Sequence, residues 1–518
     1  MPAIESPTLT GARVAVLARL WGALAREPLP GVTSRSVDGD TLTVTCGGRT
    51  IAGPAAAARP FAAPPALALS LGDDPGDVAR QLWPGAFADE LDNSVANLAL
   101  ARAAQPPPDG GPSTMDRAAA SPDPLVYTEQ CVVDGHPLHP CCRTRMGLSP
   151  AEVRAYAPEH RPVVELRVVV PPKKHWYGVH CPPYLILHPW QVEHVLDRYP
   201  FLTLTDKRVP AYPLMSLRTL ARDPTHHIKT AVDVQMTSAV RTVSAAAVHN
   251  GPLLSGLLRG LAERTPSLAV LPEVGAGAVV VDGEPVRSLA MVLRRMPALA
   301  PGEVALPLAA LFAPSPATGR PIVLELVHQG YEDDPLSCVD AVAGLLLPPL
   351  LRLLELGIGL EAHGQNVLAV VRGGRFVRLL YRDFGGVRVS PRRLAAHGIE
   401  APSLRGDLVS DDPVVLRTKV FASAVSTVLG ELVTVLGREL GTDEDKAWRR
   451  VADAARNEPG AAALFTGPLP VKATTAMRLA QLPSRSVLDP RSSDLDPPRL
   501  EPVDDIWTVL DNPMEGLR

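Results

Sequence analysis

Cysteine is scarce: six in 518 residues, at Cys46, Cys131, Cys141, Cys142, Cys181 and Cys338, with no C-x-x-C pair. That excludes a disulfide scaffold and points to a reducing compartment, the cytoplasm. Also missing is any run of about 18 uncharged apolar residues, the length that spans a membrane. The opening MPAIESPTLTGARVAVLARLWGALAREP carries Arg13, Arg19 and Arg26 through its apolar stretch, so it reads as an amphipathic helix and not as a secretory signal. Neither sign of charge dominates. A net charge of -4 and a pI near 6.4 offer no overall attraction for nucleic acid or an anionic membrane, so any polyanion must be gripped locally. No internal repeat is visible.

What is present is an ordinary globular balance, 46% hydrophobic and 20% charged residues, which excludes a disordered chain or a collagen-like fibre. At roughly 150 residues per domain, 518 residues supply two or three cores. The 55 prolines are about twice the ordinary share and mark boundaries. Two stretches poor in periodic apolar residues, Arg102–Pro124 and Met296–Pro321, read as linkers or loops and divide the chain at about 1–120, 121–300 and 301–518.

The first segment opens on a helix, followed by a strand pair around VDGDTLTVTCGGRTIAG. The second is rich in strands: Val163–Val170, Tyr184–Trp190, and a hairpin in which GAVVV and SLAMVLRR flank Asp282-Gly283-Glu284-Pro285. It also holds the helix-like LLSGLLRGLAER. The third begins with IVLELVH, read as a strand, then a long helix over Val339–Leu356 that contains Pro348-Pro349. A hairpin, VLAVVR and RFVRLLY joined by Gly373-Gly374, precedes mainly helical sequence such as PVVLRTKVFASAVSTVLGELVTVLG. The order predicts an α+β chain with a helical C-terminal part.

Three constellations carry chemistry. Glu361-Ala362-His363-Gly364-Gln365-Asn366 and Arg382-Asp383-Phe384-Gly385-Gly386 bracket the apolar hairpin. In kinase-like nucleotide sites an Asn before such a hairpin and an Asp after it converge on magnesium, where hard oxygen donors bridge the metal to phosphate. The bland alternative is an Asp that caps a turn and a satisfied core histidine. Second, Ser216, Arg218, Thr219, Lys229, Thr237, Ser238, Arg241 and Thr242 fall within 27 residues. Forked guanidinium groups, a point charge and hydroxyls suit a polyanionic substrate pair, the alternative being a solvated strand face. Third, the run from Gly135 to Ser149 holds His136, His139, Cys141, Cys142, Arg143 and Arg145. Zinc is one reading, but its ligands crowd at odd spacing with no second paired element. A phosphate-facing loop stiffened by prolines and a purely structural loop are the others. His188-Pro189-Trp190-Gln191 ends a strand with a polar turn, as compatible with structure as with binding.

Taken in order, G-H-P-x-H-P, H-P-W-Q, K-x(7)-T-S-x-x-R-T, H-G-Q-N and R-D-F-G-G closely resemble the aerobactin synthetase (IucA/IucC) family, siderophore synthetases that work independently of peptide synthetases. Val471–Leu479 resembles that family's C-terminal region, so the likeness spans about residues 130–480. Residues 1–125 carry no alignable motif. The resemblance implies a cupped hand of thumb, fingers and kinase-like palm, the three segments in that order. It also implies a reaction in which a carboxylate attacks the α-phosphorus of ATP and an amine or alcohol then displaces AMP.

By the same resemblance, Ser216, Arg218, Thr219 and Lys229 grip the ATP phosphates, with His136 or His139 nearby. Thr237, Arg241, His363 and Gln365 hold the carboxylate substrate. Asn366 and Asp383 take Mg2+ or orient nucleotide, with Glu361 as a helper. Arg143 stands where many members have lysine, so a fork replaces a point charge there. The partners implied are small-molecule carboxylates (citrate, 2-oxoglutarate or a succinyl-type acid) and amines or alcohols, with no nucleic acid or membrane and a homodimer as the default assembly. Two rivals remain. A kinase-like phosphotransferase is suggested by Glu361, five residues before Asn366, but the chain has no G-x-G-x-x-G loop followed by V-A-I-K. The other is a noncatalytic relative that kept the fold.

Overall fold

A computed structural model describes residues 7–61, 67–237, 239–482 and 505–517. The chain opens on the expected helix, Pro7–Arg26, whose buried Val16, Leu17, Leu20, Trp21 and Leu24 recur at helical spacing. The strand pair expected next is a three-stranded meander, Val32–Asp38, Thr41–Cys46 and Arg49–Pro54. With the helix Phe87–Ala103 these elements enclose one core, which also takes in Cys141, Cys142, Ala473 and Ala476. The C-terminal helix Thr474–Gln481 is anchored here: Glu27 accepts hydrogen bonds from the backbone of Thr475 and Ala476, and buried Glu90 pairs with Arg478.

The second core lies against an antiparallel sheet of eight strands in the order Trp176–Val179, Glu273–Val281, Glu284–Arg295, His226–Thr230, Thr219–Asp223, Thr203–Pro213, Val164–Val170 and Leu185–Leu187. The hairpin turning at Asp282-Gly283 forms as expected. The strand expected over Tyr184–Trp190 stops at Leu187. His188 caps the helix Pro189–Val195, its Nδ1 accepting from the Trp190 N–H at 3.2 Å, and its role there is structural.

The third core surrounds a four-stranded sheet in the order Leu268–Val270, Arg375–Tyr381, Val367–Arg372 and Glu303–Pro307. The long helix runs Pro335–Leu356 through both prolines. IVLELVH is a helix, Ile322–Gly330, and not a strand: its buried residues Ile322, Val323, Leu326, Val327 and Gly330 repeat at three and four, one helical face. The Arg102–Pro124 stretch is also more ordered than a linker, for it contains the helix Thr114–Ala119. Its Gly110 N–H bonds to the Ala317 carbonyl in the other proline-rich stretch. Two stretches, Pro335–Leu356 and Pro413–Leu440, are long and apolar enough to cross a membrane, but 56% and 78% of their most apolar windows are buried inside the protein.

Candidate active site

Where the three cores meet lies a cavity of about 950 Å³. It is lined by Ser216, Arg218, Lys229, Thr237 and Arg241 from the second unit, His136, His139 and Arg143 from the preceding loop, and Glu361, His363, Gln365, Asn366 and Asp383 from the third. Among the described residues to which the resemblance gives a site role, Thr219 does not line it. Thr219 is buried in its strand, its N–H donating to Ser216 Oγ at 3.2 Å. Ser238 lies outside the described residues.

Strand register explains the basic wall. Lys229 pairs with Val292 and His227 with Arg294, so Lys229 and Arg294 share one sheet face. Both reach Asp383. Lys229 forms a short ion pair with one carboxylate oxygen, and Arg294 lies 3.5 Å from the other while also touching Glu273 at 3.3 Å. Burial opposes ionisation of Asp383, but Lys229 and Arg294 outweigh it and hold the carboxyl far below the usual range. Burial likewise pulls Lys229 below its ordinary value, with Asp383 resisting. The Ser216 turn is tight: the Arg218 N–H donates to the Ser216 carbonyl at 2.6 Å around Leu217, whose φ is +60°. Thr237 (φ +59°) and Asp383 (φ +72°) are also left-handed non-glycine residues, so backbone strain gathers at this cavity.

Arg218 is fixed by a 2.6 Å bond to the Thr242 carbonyl and is lowered to about 10, first by burial and then by Arg241. Arg241 ends the short strand Ala239–Arg241 and makes no ion pair or side-chain hydrogen bond with any described residue. Its charge is uncommitted.

The three cavity histidines share one device. The Nδ1 of His136 accepts from the N–H groups of Leu138 and His139, that of His139 from Cys141, and that of His363 from Gln365, at 3.1–3.2 Å. An accepting Nδ1 leaves the proton on Nε2, so each ring is a neutral donor. Burial lowers all three, His136 to about 3; neighbouring cations add to the effect at His136 and His139, while Glu361 opposes it at His363. The His139 Nε2 is fully buried and unpartnered.

The loop that ends at Asn366 is held from behind. Asn366 Nδ2 donates to the Glu361 carbonyl, Ser423 Oγ accepts from the Ala362 N–H, and Arg382 grips the Gln365 carbonyl while pairing with buried Glu129. The Arg382 N–H bonds to the Asn366 carbonyl, which brings Asn366 and the next residue, Asp383, together as the hairpin spacing predicts. Two expectations change. Arg143 is occupied by the carbonyls of Val132 and Val133 and by Glu159, so its fork braces the loop instead of facing open space. Glu361 is paired with Lys472 at 3.5 Å; burial opposes its ionisation, and Lys472 overcomes this to lower it. Among the described residues no three His, Cys, Asp or Glu side chains gather as a metal site, so the Cys141–Cys142 run does not form a zinc centre there.

Sequence reasoning missed Arg294, Lys472, Arg19, Glu129 and the cavity carboxylate Glu431. Lys472 lay within the quoted Val471–Leu479 motif, and strand parity with Lys229 could have found Arg294. Nothing local marks the other three.

Residues 124–179 and 183–313 match the model of the IucA / IucC family. The likeness to that family is thus carried by the middle of the chain. Residues 339–484 match a second model, the ferric iron reductase FhuF-like transporter. The chain is similar to staphyloferrin A synthase of Staphylococcus aureus, 28% identical over 60% of this chain and 61% of that one. It is 24% identical to the D-ornithine–citrate ligase of the same organism, over 72% of this chain and 67% of that one. These matches thus span about two thirds of the relatives' lengths. ATP-bound aerobactin synthetase IucA of Klebsiella pneumoniae has the same fold, with TM-score 0.73 and 19% identity over 98% of this chain and 99% of that one.

Proposed function

We propose that this chain is an ATP-dependent ligase of the IucA/IucC family, acting in siderophore or related biosynthesis. It adenylates a carboxylate such as citrate and joins it to an amine or alcohol, releasing pyrophosphate and then AMP. The observation that carries this reading is the convergence in one cavity of Arg218, Lys229 and Arg241 with three neutral histidine donors, facing Asn366 and Asp383. ATP, a second carboxylate and a pentacovalent phosphorus concentrate negative charge. Such a transition state needs positioned cations and donors more than a nucleophilic side chain.

In this reading the Ser216–Arg218 turn and Lys229 hold the phosphates. Arg241 and His363, with Thr237 and Gln365, hold the carboxylate against the α-phosphorus. The Nε2–H groups of His136 and His139 donate to oxygens that gain charge as pyrophosphate leaves. For a resident Mg2+ the donors suit its habit of taking one or two protein oxygens beside phosphate: Asp383 stays ionised, and the Asn366 amide donates its N–H and keeps its oxygen free. Asp383 and Asn366 would hold the ion, which would neutralise phosphate charge. Glu361 is left to Lys472. The divisions 1–120, 121–300 and 301–518 serve here as thumb, fingers and palm. The stretch matched by the FhuF-like model contains no cysteine, so no thiolate for an iron–sulfur cluster comes from it.

The test is nucleotide accounting with citrate, 2-oxoglutarate and succinate. Acid-dependent pyrophosphate and AMP are expected, whereas ADP would convert the reading to a kinase, and no turnover would leave a binding relative.

A further inference from the structure

The cavity continues past the histidines into an arm between the helix Pro7–Arg26 and the helix Gly430–Leu440, and the reaction just proposed leaves this arm unused. Two acidic side chains line the cavity beside these helices, Asp134, which is paired with Arg102, and Glu431. Glu431 makes no ion pair or hydrogen bond with any described residue, and the cation acting most strongly on it is Arg19. Arg19 is itself spent on carbonyls: its Nε donates to the His136 carbonyl at 3.0 Å and its Nη1 to that of Ala15 at 2.9 Å. It therefore joins the arm to the histidine end of the cavity. The other cations there are also engaged: Arg26 with the Ala58 carbonyl, Arg59 with Glu444, and Arg438 with Glu439 and the Phe61 carbonyl. Ala18, Val14 and Val435 make the rest of the wall apolar.

A carboxylate left alone in an apolar arm is costly unless something cationic joins it. Opposite it the proposed acyl adenylate needs a nucleophile. From this we infer that the arm is the acceptor subsite, that it takes a primary amine as its ammonium ion, and that Glu431 receives the proton that makes the amine a nucleophile. The step balances. The ammonium gives one proton to the Glu431 carboxylate, and the freed nitrogen pair attacks the acyl carbon. A C–N bond forms as the acyl C–O bond to AMP breaks, and the second nitrogen proton leaves with the AMP phosphate. Burial supports this role by pushing Glu431 up to about 8, against the pull of Arg19 and Arg438, so that it can both release and accept a proton near neutrality.

The inference rests on the adenylation reading, and the test separates the two. Citrate-dependent exchange of pyrophosphate into ATP reports adenylation alone. Hydroxylamine, largely uncharged at pH 7.5, reports capture of the acyl adenylate without a base. Ornithine, 1,5-diaminopentane and ethanolamine report condensation with a charged amine. For Glu431→Gln, exchange and hydroxamate formation are expected within about twofold of wild type, with amine condensation down 100-fold or more. Ala18→Phe, which narrows the arm from the opposite helix, is expected to raise the amine KM at least fivefold with exchange unchanged. Amine condensation preserved in either variant overturns the subsite, as does a wild type that forms hydroxamate but condenses none of the three amines. Loss of exchange in the wild type would instead overturn adenylation.

Discussion

Arg241 illustrates how a single side chain carries the proposed chemistry. It lines the cavity, pairs with nothing described, and fills no core. Arg241→Ala is expected to lower acid-dependent pyrophosphate release by about 10²- to 10³-fold, the usual effect of removing a positioned charge donor. Its thermal unfolding should stay near wild type, since no packing is lost. Lys229 differs because it also neutralises buried Asp383. Lys229→Met should raise the ATP KM and also destabilise the protein by about 3 kcal/mol, the low end for breaking a buried pair, because Arg294 still faces the stranded carboxylate. An ATP titration and a urea melt check the two effects separately. Both residues were legible in the sequence as basic groups among hydroxyls. Arg294 was not, because its partnership with Asp383 depends on strand register.

Among the elements, the loop from Glu361 to Asn366 shows why its motif tolerates little change. A Cβ at Gly364 would come within 2.8 Å of the Ala309 backbone nitrogen, which donates to the Gly364 carbonyl. Gly364→Ala must push two main chains apart. We expect a loss of about 1–3 kcal/mol in a denaturant melt and reduced adenylation, because His363 and Asn366 flank the displaced residue. At Gly386 a Cβ would collide with the Glu361 carboxylate, so the two ends of the hairpin are fitted to one another. The neighbouring helix is π-wound over Phe421–Leu429, and Ala422, Ser423, Thr427 and Val428 from it line the cavity. Such turns recur at functional sites. The hairpin was readable because alternation and Gly-Gly are local signals. The helix Ile322–Gly330 was misread because a short run rich in branched aliphatics satisfies both periods until its buried face is known.

Across the protein, the buried neutral histidines set the response to acid. His136, His188 and His227 are each lowered from 6.5 to about 3, mainly by burial. Between those values the unfolded chain binds protons that the native state refuses. Each such group therefore costs about 1.4 kcal/mol of stability per pH unit as the pH falls from 6.5 towards 3. Glu431, raised from 4.5 to about 8, has the opposite slope between those limits, as do Glu27 and Glu273, while the lowered His139 and His363 and the depressed carboxyls of Asp383 and Glu159 add to the loss on acidification. The midpoint of thermal unfolding should accordingly drop steeply below pH 6.5. A flat profile from pH 6.5 to 4.5 would mean that these rings are protonated in the fold. The same neutrality predicts that neither His136 nor His139 titrates between pH 6 and 8.

The ordered motifs alone pointed to the family resemblance, the α+β class and the phosphate-rich chemistry proposed above. Each depends on residue type and spacing along a short stretch, which a linear chain displays directly. The active cavity was decided elsewhere. Arg19 reaches His136 across 117 positions, Lys229 reaches Asp383 across 154, and Glu27 holds Thr475 across 448. Pairings at such separations are selected by which apolar faces bury together and by strand register, neither of which is encoded within a window of neighbours. That is why Glu431, unremarkable in a helix sequence, acquires meaning only when the first helix of the chain packs opposite it.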